Sequence, residues 1–462
     1  MDVLTPAAGE RAVTRTLPPA ALPVAVGGLA AGLFAWSLLR RSDVLLLHAY
    51  DSAFFQQVVW NAGHGRGFSS GFFPASLLGL HFEPLLAVPA LLELAWPDVT
   101  LLGLLQAVAL GAAAPAAYLL LDALLPGRRL LAAVLAAPVP LWAEVQQAAR
   151  ADFHTESLAL PLVLLAGWAG LRGRTLACWA LALAALAAKE DQAYAVAVVG
   201  ALLLLHGPSR RHGAALVGVA VAWGAAAEWV VMPALRGGVT SQTDSYYRWL
   251  HTAGPAQVAG ALAVPAGWLA FGGLVAGLAA LPLLRPAWLA LALPPLVADL
   301  LSAHHPQPEL RYQYGLPLVV PVLVAAALSA RRLPADLPVT AVGLLALPAL
   351  AVGLATGPIV TERLDAAPAL ARLRACTAAL PPLAAVAADD AIAPALASRP
   401  VLRMLADARA GDYVVVDRAG RQPDYVPQPE RDRVLAALPA QHRGLLCDDG
   451  RFQLWSPAGG TN

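Results

Sequence analysis

Five short clusters hold most of the side chains that could do acid–base or ionic chemistry: Asp51; His81 with Glu83; Arg150, Asp152, His154 and Glu156; Lys189, Glu190 and Asp191; and Arg248. A carboxylate can act as general base on a hydroxyl, typically worth about 10²–10⁴-fold in rate. Lysine and arginine can hold a phosphate or another developing anion. Imidazole and carboxylate together can bind a divalent cation. His81, Glu83, Asp152 and His154 are candidate metal ligands, although their spacing fits no standard zinc pattern. Each cluster also has an ordinary reading. Asp51 precedes Phe54, Val58 and Asn61 at helical spacing, so it could simply cap a short helix. Lys189 could simply pair with Glu190 or Asp191. If 152–156 is extended, Asp152, His154 and Glu156 share a side; if helical, Asp152 and Glu156 share a face.

The elements that must carry these clusters are apolar. Of 462 residues, 58% are hydrophobic and 13% charged, against roughly 25% charged in a soluble domain. Mean hydropathy is +0.62. A soluble fold of this size cannot hide so much apolar surface, which leaves a polytopic membrane protein. A net charge of +1 argues against nucleic acid as a partner. Three cysteines exclude a disulfide scaffold. Charge is uneven: residues 358–462 hold 24 of the 61 charged residues. The chain therefore divides into a membrane part, 1–357, and a water-soluble part, 358–462.

A spanning helix needs about 20 apolar residues, fewer where it packs inside protein. Eleven stretches qualify: 20–39, 98–122, 130–149, 157–171, 175–188, 192–206, 213–235, 268–284, 287–302, 315–330 and 338–357. The stretch 84–96 is short and proline-containing, and reads as a helix lying in the interface or dipping part-way. Basic residues in short loops mark the cytoplasmic side. Arg128 and Arg129, Arg172 and Arg174, Arg210 and Arg211, Arg285, and Arg331 and Arg332 agree on a cytoplasmic N-terminus and an extracytoplasmic C-terminus. Arg40 and Arg41 dissent. With this threading the long loop 40–97 lies outside, and so do all five clusters and seven of the ten histidines. Short helices would sink those turns below the membrane surface, where each charge costs roughly 2.5–3.5 kcal/mol. Asp51, His81, Glu83, Asp152, His154, Lys189 and Glu190 are expected to converge on one outward-facing cavity.

The C-terminal part reads as mixed α/β. Helices are expected at 362–380 and 429–438. Strands are expected at 384–388, 400–404, 412–417, 443–447 and 451–455, the last two joined by a hairpin at Asp448-Asp449-Gly450. No glycine-rich phosphate loop appears, so nucleotide binding is not expected. Cys376 and Cys447 either form a bridge or are two small buried hydrophobes. Acceptor recognition, partner binding or simple coverage of the cavity are the roles open to this part.

The run Asp51–Trp60, then His81-Phe82-Glu83-Pro84, Asp152-Phe153-His154 and Lys189-Glu190-Asp191 resemble a large prokaryotic family of predicted membrane proteins catalogued as a domain of unknown function. The resemblance extends to His305–Glu309, to Ala387-Ala388-Asp389-Asp390 and to Asp412–Asp417. It departs at Tyr312-Gln313-Tyr314, where a His-Tyr pair is expected. That family in turn resembles the GT-C glycosyltransferases. The resemblance implies a GT-C-like, α-helical membrane fold and a polyprenyl-phosphate sugar as donor partner. It matches Asp51 and Asp152 to that group's acidic positions, and His81 to Pro84 to a later loop segment. Asp51 is then the candidate base. Lys189, Arg150 and Arg248 are candidates for the phosphate. His81, Glu83, Asp152, His154, Glu156, Glu190 and Asp191 would shape the donor pocket or hold a cation. Fold likeness does not fix a reaction. A transporter or channel would also need intramembrane charge, such as Glu228 and Asp299, but the polar residues crowd to one side and no repeat is visible. A non-catalytic scaffold is the third reading.

Overall fold

In the computed structural model, which describes residues 18–334, 338–361, 364–419, 428–441 and 443–459, the apolar stretches are helical. They must be, because lipid offers nothing to satisfy backbone N–H and C=O groups. Five helices are long and apolar enough to cross a membrane: Ala21–Asp43, Thr100–Leu124, Arg129–Arg150, Arg210–Leu235 and Pro255–Ala276. Shorter apolar helices cover Pro84–Glu93, Glu156–Leu171, Thr175–Leu186, Gln192–His206, Pro286–Leu300, Leu316–Ala330 and Val339–Ala355. Their outward faces present Leu29, Leu176, Trp229, Leu269 and Leu345, each 66% to 85% exposed, a surface suited to lipid rather than water. The chain is a multi-pass membrane protein. Its central helix is Leu316–Ala330, in which every residue but Pro317 is buried, as expected for a helix apolar all round.

Each of the eleven expected stretches overlaps an apolar helix. One has different bounds: 268–284 is not a single element. Its helix, Pro265–Ala276, continues a shorter one, Pro255–Leu262, across a break at Ala263–Val264. Ala279 and Ala280 then adopt left-handed backbone at φ 54° and 57°, and a 3₁₀ turn, Leu281–Leu284, follows. Hydropathy is blind to such a turn because its residues remain apolar. The Pro84–Glu93 helix is too short to span. It leaves Val88, Leu91 and Leu92 exposed, followed by Leu94 and Trp96.

Two local features set up the site. Helices Ala21–Asp43 and Thr100–Leu124 meet backbone to backbone at Gly27 and Gly111. A Cβ on Gly27 would stand 2.4 Å from the Gly111 carbonyl oxygen, so only glycine permits this approach. The helix Arg129–Arg150 is broken. Pro138 and Pro140 interrupt it after Ala136, a 3₁₀ turn spans Val139–Leu141, and helix resumes over Ala143–Arg150. Proline cannot donate to the ladder. Gln146 Nε2 donates to the Pro140 carbonyl at 2.7 Å.

The C-terminal region forms a five-stranded sheet of β1 (Val386–Ala388), β2 (Leu402–Met404), β3 (Tyr413–Asp417), β4 (Leu445–Asp448) and β5 (Phe452–Trp455), ordered β2-β1-β3-β5-β4. β1 is parallel to β2 and β3; β3–β5 and β5–β4 are antiparallel. All five strands fall within a residue or two of expectation, because alternation and turn residues mark them. Val414 and Val416 face Leu405 and Leu438, on the side of helix Gln428–Ala437. Val386, Ala388 and Val415 face the other way. The expected helix at 362–380 shrinks to Leu370–Cys376, since Pro368 delays its start; positions 362–363 lie outside the described residues. Cys376 and Cys447 form a disulfide with Cα atoms 5.6 Å apart.

The sheet is not set apart from the rest. Its second apolar face shares one buried cluster with Leu45, Ala49 and Ala53 of the first long loop. Three amides of the loop helix Phe54–Gly63 complete the junction. Gln56 donates to Ser398 Oγ at 2.9 Å, Gln57 to the Arg399 carbonyl at 3.2 Å, and Asn61 to the Pro400 carbonyl at 3.1 Å. The three amides of the Asp51–Asn61 run thus serve attachment.

Candidate functional site

Asp51 sits inside a π-helical turn, Ala49–Ala53, that runs into the helix Phe54–Gly63. π-turns are rare and frequent at functional sites. Asp51 does not cap that helix, which starts after Ala53 with no side-chain cap. The turn is capped from elsewhere in the chain. Asp390, directly after β1 and Asp389, accepts the Ala49 N–H at 2.9 Å on one oxygen and meets His48 Nδ1 at 3.1 Å with the other. The Asp51 carboxylate stays 42% exposed, with His154 Nε2 3.6 Å away. It lies low in a cleft, so burial raises its pKa. The His154 and His48 charges oppose that rise, and Asp152 and Asp390 reinforce it.

Asp152 is spoken for. Arg41 Nη2 donates to its Oδ1 at 2.8 Å, and the His48 backbone N–H donates to its Oδ2 at 2.6 Å. Arg41 and Asp152 are both buried at 4% exposure. Gln106, from helix Thr100–Leu124, fixes the surrounding turn. Its Nε2 lies within reach of the carbonyls of Ala148, Ala151 and Asp152, and its Oε1 accepts the His154 N–H at 2.9 Å. The turn therefore fans its side chains out: Asp152 toward Arg41, His154 toward Asp51, Glu156 toward Lys189. Arg150 closes the preceding helix, half-buried.

A second set of groups lies beside the first. Lys189 Nζ binds Glu156 Oε1 at 2.5 Å and approaches Asp191 Oδ2 at 3.8 Å. The Lys189 pKa is raised well above the ordinary lysine value: burial pulls it down, but Glu156, Asp191, Glu190 and Glu83 overwhelm that effect. Glu83 is 1% exposed, and its Oε2 has no hydrogen-bond partner among the described residues. Burial pushes its carboxyl well up, against the pull of Lys189. His81 Nδ1 lies 2.8 Å from Glu190 Oε1, and the Phe82 N–H donates to Glu190 Oε2 at 2.8 Å. Burial opposes ionisation of Glu190, yet the His81 charge and hydrogen bond prevail and hold it at about 2. Burial raises Asp191 to about 6. Among the described residues, no three His, Cys, Asp or Glu side chains stand close enough to share a metal ion.

The structure therefore brings Asp51, Asp152 and His154 together, and beside them His81, Glu83, Glu156, Lys189, Glu190 and Asp191. Arg248 is exposed in the turn Arg248–His251, its side chain with no ion pair or hydrogen bond among the described residues. Its neighbour Tyr246 stacks on His304 at 4.8 Å, and Tyr314 meets His304 edge-on at 6.0 Å. Both tyrosine hydroxyls have their pKa raised, first by burial and further by the Asp51 charge, which puts this aromatic stack at the cleft. Arg41, His48, Asp390 and the stack had no role in the sequence reading. The signal for Arg41 was there: a charge at the end of an apolar helix, on the wrong side for the topology rule. A cavity of about 210 Å³ lies at the other end of the helix that begins at Glu156, lined by Gly170, Cys178, Trp179, Leu203 and His212, away from these groups.

These elements define a polytopic membrane protein whose charged cleft is walled by a long first loop and a C-terminal sheet. The chain belongs to the family described as "Predicted membrane protein (DUF2079)", whose model matches residues 41–436. Its fold is similar to that of ArnT from Cupriavidus metallidurans. The crystal structure of ArnT bound to undecaprenyl phosphate matches with a TM-score of 0.54 at 13% identity, over 96% of this chain and 99% of ArnT. The apo structure of ArnT matches with a TM-score of 0.54 at 12% identity, over 95% and 99%. No curated protein matches the chain in sequence.

Proposed function

We propose that this protein is a GT-C type glycosyltransferase that moves a sugar from a polyprenyl-phosphate donor to an extracytoplasmic acceptor, with Asp51 as general base. One observation carries the reading: Asp51 offers the most exposed carboxylate of the site, while Asp152 and Glu156 are committed to buried partners, Glu190 to His81, and Asp191 to Gln192 with Lys189 close by. The acceptor hydroxyl oxygen bonds to the anomeric carbon of the sugar. The bond from that carbon to the phosphate oxygen breaks, its electron pair leaving with the phosphate. The hydroxyl proton passes to Asp51. A carboxyl raised above its ordinary value by burial is a better proton acceptor for this step. The solved relative in fold holds undecaprenyl phosphate, and the apolar helices here suit such a chain. Asp152 and Lys189 act through position, Asp152 by holding Arg41 and His48, Lys189 by neutralising the carboxylates around it.

In the same reading the N-terminus is cytoplasmic, eleven helices cross the membrane, and 358–462 is an extracytoplasmic domain seated over the first loop. Arg40 and Arg41 then dissent for a structural reason. Arg41 is buried on Asp152, and Arg40 donates to the Leu364 carbonyl at 2.7 Å. Neither is free to report on the membrane potential or lipid charge.

The test is the lipid-linked sugar pool of a strain lacking the gene, complemented with wild-type protein or Asp51→Asn. The donor should accumulate in the deletion and with Asp51→Asn, and fall with wild type. Unchanged pools in the deletion, together with solute flux through the purified protein in vesicles, would overturn the proposal in favour of a transporter.

A further inference from the structure

The cleft beside Asp51 contains a held, charged side chain that neither the base nor the fully buried ion pairs employ. His48 is 49% exposed, and only two residues separate it from Asp51. Its Nδ1 is held by Asp390, a buried aspartate contributed by the C-terminal sheet 342 residues away. Its backbone N–H is held by Asp152. Two tethers from two elements fix the ring, and Nε2 has no partner among the described residues. We infer that His48, oriented and charged by Asp390, is the group that binds the phosphate of the lipid-borne substrate, so that the C-terminal sheet completes the anion subsite. This rests on the reading of a polyprenyl-phosphate donor.

The physical case has three parts. First, Nδ1 bonded to a carboxylate aims Nε2–H outward and stabilises imidazolium, the arrangement by which a buried acid orients and charges a histidine. Second, the two buried cations of the site are committed, and Arg248 is exposed with no side-chain partner among the described residues to orient it. Arg41 lies on Asp152 and Lys189 on Glu156, both buried. Third, a phosphate next to a carboxylate base needs a cation between them to offset repulsion. The hydrogen bond to Asp390 raises His48 to about 9. Burial and Arg41 oppose this, and the Asp152 and Asp390 charges add to it. The groups facing the ring are thus Asp390 from the sheet, Asp152 from the turn after Arg150, Arg41 from the first helix, and Asp51 with His154 across the cleft. The ring is positively charged at neutral pH and loses its charge as pH rises through about 9.

The test measures binding of a short-chain polyprenyl phosphate and of the matching polyprenyl alcohol to the full chain in nanodiscs. It uses wild type, His48→Gln and Asp390→Asn. Wild type should prefer the phosphate. His48→Gln should lose about tenfold or more of that preference, the worth of one charge-assisted hydrogen bond. Asp390→Asn should keep a preference at low pH but lose it at a lower pH than wild type, a shift that a merely structural role would not produce. Equal phosphate preference in wild type and His48→Gln overturns the assignment of His48. An unshifted pH profile in Asp390→Asn overturns the role of the sheet. A wild type that binds alcohol and phosphate alike overturns the donor reading itself, and this inference with it.

Discussion

The two charged groups of the cleft are built oppositely. Around Asp51 the carboxylate keeps 42% exposure, its neighbour His154 stands at 3.6 Å, and His48 is half open. Around Lys189 the centre is sealed, with Glu83, Glu156 and Lys189 1%, 3% and 7% exposed, and only the rim, Asp191, His81 and Glu190, is partly open. Opposite charges in the sealed group touch, and carboxylates outnumber the lysine. Solvent access separates a group that can exchange protons with a substrate from one that can only hold segments together. The sealed cluster ties loop segment 81–85 to turn 187–191, the second tie being the Leu85 N–H to the Ala187 carbonyl at 2.7 Å. The same residue types are thus left open to solvent on one side and locked into ion pairs on the other.

The strongest way to break this comparison is to remove each centre in turn. Asp51→Asn should lower turnover by at least about 10²-fold with the thermal unfolding midpoint unchanged; a near-normal rate would move the base elsewhere. Lys189→Met should do the reverse. Stripping the buried cation from the buried Glu83 and Glu156 carboxylates should destabilise the fold by about 3–5 kcal/mol, read as a lower unfolding midpoint in detergent. A Lys189→Met protein that is stable but inactive would erase the distinction.

The C-terminal sheet touches the open group and not the sealed one, and this gives a third test. Cys376→Ser with Cys447→Ser, which opens a cross-link between residues 71 positions apart, should cost about 2–4 kcal/mol. The loss should appear as local opening of 45–53 and 386–455 in hydrogen exchange, with 187–191 protected as before. The smallest effect is a pH slope. Glu190 falls from 4.5 to about 2 on folding. A depressed carboxyl stabilises above its unfolded value, so the contribution is complete above pH 4.5 and vanishes as pH falls to about 2. Glu190→Gln should flatten the stability curve in that window, with the whole loss of stability present at pH 7 and almost none near pH 2; an unaltered slope would detach Glu190 from His81.

How much of this was legible in the sequence follows from contact range. Helices and strands were visible because hydropathy and period are local properties. Convergence of Asp51, Asp152, His154 and Lys189 was visible because the turns that hold them lie at one end of consecutive helices. What stayed hidden depends on distant pairing. Arg41 looked like a topological anomaly because its partner lies 111 residues on. Asp390 stood in a quoted run, Ala387–Asp390, with nothing to say that it reaches His48. The turn at Ala279 and Ala280 was invisible because it is made of the same apolar residues as a helix.

The buried cluster shared by Leu45, Ala49, Ala53 and the strands has a consequence for how the molecule comes into being. The first loop is made early, but the surface that packs it and the aspartate that caps its π-turn are made more than 300 residues later. At translation rates of about 5–20 residues per second, that interval is on the order of tens of seconds. Throughout it the Asp51 turn has no cap, and its alanines have no core to enter. The cleft is therefore the last part of the protein to mature, and a nascent chain halted before β1 would sit in the membrane fully threaded and chemically blank.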